Sequence, residues 1–237
     1  MRLHRRALLA APLLAATRLP LAAVPIARLE TPWWRARHEA KLAELKTARP
    51  ELIWLGDSIT QNFERDGPEP WAHFRPVWER FYGRVRAVNL GFKGDATSHL
   101  LWRMQHGELD GIAPRTAVVL IGANNMGRVH WSADDTLLGI ETVMAELRRR
   151  LPQTRALLVS VLPSERGAWV DATTLAINRG LAQRFSGGFV DVTQVFRPLG
   201  VLDRGLFYDG LLRPPEPLLH PTAEGMAQLA QAIGRLV

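Results

Sequence analysis

Residues 51–60 read Glu-Leu-Ile-Trp-Leu-Gly-Asp-Ser-Ile-Thr. The apolar run Leu52–Leu55 lies between a charged residue and a Gly-Asp turn, which gives it the length and flanks of a buried strand. The turn presents one serine, Ser58, just beyond the strand's carboxyl end. A serine held there among backbone N–H groups is in the position where α/β esterases mount a nucleophile. No glycine follows Ser58, so the segment is not a G-x-S-x-G elbow.

Working outward, short apolar runs recur at Val85–Leu90, Thr116–Ile121, Ala156–Val161 and Phe189–Val192. Between and after them come amphipathic stretches at Thr97–Gly107, Ala133–Leu151, Asp171–Phe185 and Thr222–Leu236. Ser132-Ala-Asp-Asp-Thr is an N-cap sequence, and Pro221-Thr222-Ala-Glu-Gly opens the last helix. Strand–helix alternation predicts an α/β fold: a mostly parallel sheet of about five strands, with helices on both faces. Ligands in such folds bind beyond the carboxyl ends of the strands. Upstream, Trp33, Trp34, Arg37, His38, Lys41, Leu42 and Leu45 fall at helical spacing, and Pro50 stops the pattern. The expected organisation is a helical extension over residues 28–49 and one catalytic-size domain over residues 50–237.

Composition narrows the chemistry. The chain has 237 residues, 47% of them hydrophobic, and no cysteine, so disulfides, thiolate metal sites and cysteine nucleophiles are excluded. The formal charge is +7, but Arg2, Arg5, Arg6 and Arg18 sit in residues 1–27 with no acid beside them; subtracting these four from +7 leaves +3. That argues against a nucleic-acid partner. The same N-terminus, basic and then apolar from Ala7 to Ala16, reads as a signal peptide over residues 1–27 with cleavage near Ala16, Ala23 or Ala27. The apolar run is too short to span a bilayer, so the expected product is exported, periplasmic or secreted, with no integral membrane span. His73, His99, His106 and His130 lack ligand spacing, and neither a metal nor a cofactor is expected.

The predicted strand ends carry the polar residues. Ser58 follows the first strand. Asn89-Leu-Gly-Phe-Lys-Gly94-Asp-Ala-Thr97 follows the second, Gly122-Ala-Asn124-Asn125 the third, and His220 precedes the final helix. Each alone is ordinary turn chemistry. Together they supply what acyl transfer needs: Ser58 to attack, His220 to take its proton, and the N–H groups of Ser58 and Gly94 with the Asn124 amide to hold the oxyanion. Asp57 and Asp95 read as supports of these turns. Trp54, Trp78 and Trp102 read as packing residues. Lys93 reads as a solvated lysine, with contact to an anionic substrate group as the alternative, and Trp131, Trp169 and the Met126–Trp131 loop are candidate pocket walls.

Gly56-Asp-Ser58-Ile-Thr, Gly94-Asp-Ala-Thr, Gly122-Ala-Asn124-Asn and His220-Pro together resemble the four blocks of the SGNH (GDSL-type) hydrolases. Residues 89–112 and Leu120-Ile-Gly-Ala-Asn-Asn125 are similar to the alpha-subunit-like esterases of the platelet-activating-factor acetylhydrolase group. The resemblance covers residues 50–237. It implies a flavodoxin-like three-layer fold, cofactor-free ester hydrolysis through an acyl-enzyme, a small acyl group with acetyl foremost, and an expected homodimer. Carbohydrate O-acetyl esters or small lipid esters are the expected substrates; the alternative is a ligand-binding protein of the same fold that has lost turnover. One position departs from the pattern: the acid expected three residues before the histidine is Pro217. Asp209, Glu216 or a Ser–His dyad with a backbone carbonyl behind the ring are the three ways to orient His220.

Overall fold

The computed structural model describes residues 19–236. The predicted leader lies outside the described residues as far as residue 18. The chain runs α1 (Pro32–Ala48), β1 (Leu52–Gly56), α2 (Ser58–Gln61), α3 (Phe74–Tyr82), β2 (Ala87–Gly91), α4 (Thr97–Arg103), β3 (Thr116–Leu120), α5 (Ala123–Gly127), α6 (Ala133–Arg150), β4 (Arg155–Val159), α7 (Ala168–Arg184), β5 (Phe189–Val190), α8 (Thr193–Phe196) and α9 (Ala223–Gly234). The five strands form one all-parallel sheet in the order β2-β1-β3-β4-β5. Every residue of β1 and β3 is buried, because a central parallel strand has a helix layer on each face. One layer is the series α4, α6 and α7; the other is built from α3, α9 and α8.

The chain leaves β1 for β2 on one side and returns to β3 on the other, so β1 borders the switch point where open α/β sheets bind ligands. Gly56 at the end of β1 is level with Gly91 of β2 and Leu120 of β3. That register brings the loops carrying Ser58, Gly94 and Asn124 to one edge. Beneath β1, Trp54 packs with Phe63, Trp78 and Tyr82, ring centroids 5.3, 6.4 and 5.5 Å away.

The sequence did not announce α3. Its Pro76 looks like a breaker, but it is the third residue of the helix, where the missing N–H has no intrahelical acceptor anyway. The helix predicted over Thr97–Gly107 is straight only to Arg103; it continues as a π-turn, Met104–Glu108, in which Gly107 has φ +105°.

Residues ahead of α1 belong to the packed fold. Leu21–Ala23 forms a short 3-10 turn with Ala22 and Ala23 buried against α4 and α6. The Thr97 hydroxyl donates to the Ala22 carbonyl at 2.7 Å, and the Ile26 N–H donates to the Ser98 carbonyl at 3.1 Å. Cleavage at Ala27 would remove both contacts, cleavage at Ala23 would remove the Ala22 one, and cleavage near Ala16 would leave both.

Candidate active site

Ser58 is the first residue of α2, immediately past the β1 turn. Gly56 makes that turn possible by close approach. A methyl group on it would stand 2.3 Å from Thr60 Oγ1 and 2.4 Å from the Leu120 carbonyl, so any side chain would push α2 off the sheet. The Asp57 carboxylate accepts the Ile59 N–H at 2.9 Å and caps the turn.

The Ser58 Oγ lies 2.9 Å from His220 Nε2. On the far side of the ring, His220 Nδ1 lies 2.6 Å from Asp209 Oδ1. Since the carboxylate accepts, Nδ1 carries the ring proton and Nε2 presents its lone pair to the serine hydroxyl. Asp209 is itself anchored: its Oδ2 accepts the N–H groups of Leu219 at 2.7 Å and His220 at 2.6 Å. Tyr208 closes the arrangement. Its ring stacks on His220 with centroids 5.6 Å apart, and its N–H donates to the His220 carbonyl at 3.0 Å. Of the three groups proposed to orient His220, the structure therefore brings only Asp209 to the ring. Glu216 contributes its backbone N–H to the Asp209 carbonyl at 3.0 Å, and its exposed side chain makes no hydrogen bond to the ring.

The second wall is the Gly91–Asp95 loop. Gly94 has φ +79°, a conformation that favours glycine. Among the described residues, the N–H groups of Ser58 and Gly94 have no protein acceptor. The Asn124 amide donates to the Asp95 carbonyl at 3.0 Å and, at a long 3.4 Å, to Asp57 Oδ2. The loop is held from behind by the N-terminal segment. Arg37 donates to the Gly91 carbonyl at 2.8 Å, Arg28 to the Lys93 carbonyl at 3.0 Å, and Trp34 to Asp95 Oδ1 at 2.8 Å. Arg103, fully buried and stacked 3.9 Å over the Phe92 ring, pairs with Asp95 at 2.9 Å and also with Glu108. A buried guanidinium needs such partners, because an unpaired charge inside the protein is strongly unfavourable.

The sequence matches the profile of the GDSL-like Lipase/Acylhydrolase family over residues 54–228. The chain belongs to that family. The alpha1 subunit of platelet-activating factor acetylhydrolase IB from Bos taurus is 32% identical over 130 residues, which are 55% of this chain and 51% of that protein. The alpha2 subunit from Gallus gallus is 28% identical over 130 residues, 55% of this chain and 52% of its own length. The match thus spans about half the length of these relatives. Among solved structures, a GDSL-like lipase from Bacteroides thetaiotaomicron superposes with a TM-score of 0.60 at 17% identity, covering 84% of this chain and 95% of that one. An acetylxylan esterase variant from Geobacillus stearothermophilus superposes with a TM-score of 0.58 at 20% identity, covering 78% and 93%. These likenesses show the shared fold.

Two cavities flank Ser58 and His220 in this GDSL hydrolase. One, of ≈ 240 Å³, is walled by Gly94, Asn124, Gly127, Arg128 and Arg166. The other, of ≈ 220 Å³, is walled by Asn62, Arg65, Trp71, Tyr208 and Leu212. Lys93 and Glu216 border both. The Met126–Trp131 loop contributes Gly127 and Arg128, whereas Trp131 and Trp169 line neither cavity; Trp169 is half exposed beside His130. Arg166, Trp71 and Tyr208 were not legible as site residues, since no motif or spacing ties them to Ser58. The predicted supporting roles of Asp57 and Asp95 correspond to real contacts, with Asp95 the centre of a larger ionic cluster.

Asp57 has a consequence for stability. Burial, opposed by the Ile59 N–H bond and by His220, pushes its carboxyl from 3.8 up to about 6. Between these values the folded protein holds a proton that the unfolded chain has lost. Asp57 therefore favours folding most below pH 4, and that advantage fades as pH rises through 6. Relative to wild type, Asp57→Asn is expected to gain on the order of 3 kcal/mol between pH 4 and pH 7. Urea unfolding of both proteins across that range measures it; a difference that does not vary with pH contradicts the shift.

Proposed function

We propose that the protein is a serine esterase that hydrolyses short-chain carboxylic esters, acetyl esters foremost, through an acyl-enzyme. The observation that carries this reading is the chain of contacts from Ser58 Oγ to His220 Nε2 (2.9 Å) and from His220 Nδ1 to Asp209 Oδ1 (2.6 Å). In this reading His220 removes the Ser58 proton as Oγ attacks the ester carbonyl, and then delivers it to the departing alcohol. The imidazolium formed between these steps is stabilised by Asp209. The N–H groups of Ser58 and Gly94 stabilise the tetrahedral oxyanion together with Asn124, whose long bond to Asp57 is the one that yields. Water then repeats the sequence on the acyl-enzyme. The small volumes of the two flanking cavities favour a short acyl group over a long one.

Carbohydrate O-acetyl esters are the first substrates to examine and small lipid esters the second. The reading includes export of the protein by its basic and apolar leader. A fluorophosphonate probe tests the chemistry directly, because it requires an activated serine. One phosphonyl adduct on the Ser58 peptide, by mass spectrometry, is the expected result. A protein that binds acetyl esters without taking up the probe would instead be the ligand-binding alternative.

A further inference from the structure

Eleven of the 26 lysines and arginines among the described residues have a carboxylate within 4 Å. Arg28, Arg37, Arg103, Arg150, Arg197 and Arg204 all stand within 4 Å of one. The three that surround the larger cavity beside Ser58 do not. Among the described residues, Lys93, Arg128 and Arg166 have no carboxylate within 4 Å. Arg166 is the most informative. Its guanidinium donates to the Ala123 carbonyl at 2.9 Å and to Ser164 Oγ at 3.3 Å, both neutral acceptors. These bonds hold it against Gly127, so closely that a methyl group there would lie 1.7 Å from its Nη1. Arg128 is placed in the same way over Gly94, where a methyl group would lie 2.2 Å from Nη1. Two glycines of the cavity wall thus leave room for two guanidinium heads.

A partly buried cation with no carboxylate in direct contact has hydrogen-bonding capacity left for an arriving anion, and the planar guanidinium matches a carboxylate in two parallel hydrogen bonds. Glu216, at the rim, forms no ion pair with any of the three. Burial lowers the Arg166 pKa from its ordinary value, against the pull of Asp57 and Asp209, yet an arginine stays cationic at neutral pH.

We propose that this cavity takes esters whose alcohol part carries a carboxylate close to the scissile bond, with Arg166 as the principal anchor and Arg128 and Lys93 adding attraction at the rim. The inference rests on the esterase reading, and deepens it: with a short acyl group, the charge must lie on the alcohol side.

The test compares two acetyl esters of similar size and different charge state, anionic 2-acetoxybenzoate and its neutral methyl ester, with cleavage followed at the acetyl bond. In Arg166→Gln, the ratio of kcat/KM for the anionic over the neutral ester is expected to fall at least about tenfold, or ~1.4 kcal/mol. Gly127→Ala retains every charge but displaces the guanidinium, and is expected to lower the same ratio. It serves in place of Arg166→Gln should that variant not fold. A fall of under about threefold in the folded variant, no more than a general loss of charge gives at a surface site, overturns the proposal. Salicylate binding to Ser58→Ala, measured by calorimetry, separates the two readings. Binding that weakens at least about tenfold when Arg166→Gln is added supports the anion site even if Ser58 proves not to be the nucleophile. No salicylate binding, in a protein whose wild type hydrolyses esters through Ser58, removes the anion site and leaves the esterase.

Discussion

Ser58→Ala is expected to lower kcat on p-nitrophenyl acetate by roughly 10⁶-fold while the protein keeps its fold, the size of effect found when a triad nucleophile is removed. The Ser58 hydroxyl has one side-chain partner, His220 Nε2 at 2.9 Å, and its backbone position is set by Gly56 and Asp57, not by the hydroxyl. Alanine removes the attacking oxygen and leaves both cavities, both backbone donors and the Asp209–His220 pair in place. KM should therefore change far less than kcat. Steady-state kinetics with a thermal melt on the same preparation measure both. Residual activity above about one hundredth of wild type would take Ser58 out of the chemistry, because only orientation and oxyanion binding survive the substitution.

Asp209→Asn is expected to cost roughly 10⁴-fold in kcat, for a reason visible in its hydrogen bonds. Asp209 accepts three N–H groups: the backbone donors of Leu219 and His220 on Oδ2, and the His220 ring on Oδ1. Backbone N–H groups cannot become acceptors, so the asparagine carbonyl oxygen must stay with them. Its amide NH₂ then faces His220 Nδ1 as a donor. Nδ1 must give up its proton to accept, the proton moves to Nε2, and the ring can no longer take one from Ser58. The loss should appear in kcat with the fold intact. Glu216 makes no hydrogen bond to the ring, and Glu216→Gln is expected to change the rate on a neutral ester by less than about threefold. A loss under about tenfold in Asp209→Asn would return the orienting role to a backbone carbonyl. Loss in Glu216→Gln alone would move it to Glu216.

The strand-to-turn segment around Ser58 was legible because its signals are local. Four apolar residues, Leu52–Leu55, followed by Gly-Asp-Ser specify a central parallel strand and a sharp exit without reference to the rest of the chain. The same holds for Gly94 and Asn124, each a few residues past a strand end, and for the caps at Ser132 and Thr222. The π-turn after Arg103 and the helix behind Pro76 were less legible. In both, local preference is ambiguous and packing decides.

What the sequence determined by itself is the sheet, its strand ends and the four residue types brought to them, since burial period and turn chemistry act over a few residues. Only the tertiary structure decided which acid stands behind His220, which cations face the substrate and what braces the Gly94 loop. Asp209 reaches the ring because the segments around Phe207 and Pro221 pair across the intervening loop. Arg166 reaches the cavity because Gly127, distant in sequence, leaves it room. Such pairings depend on where long-range packing sets two segments, and no spacing along the chain encodes that distance.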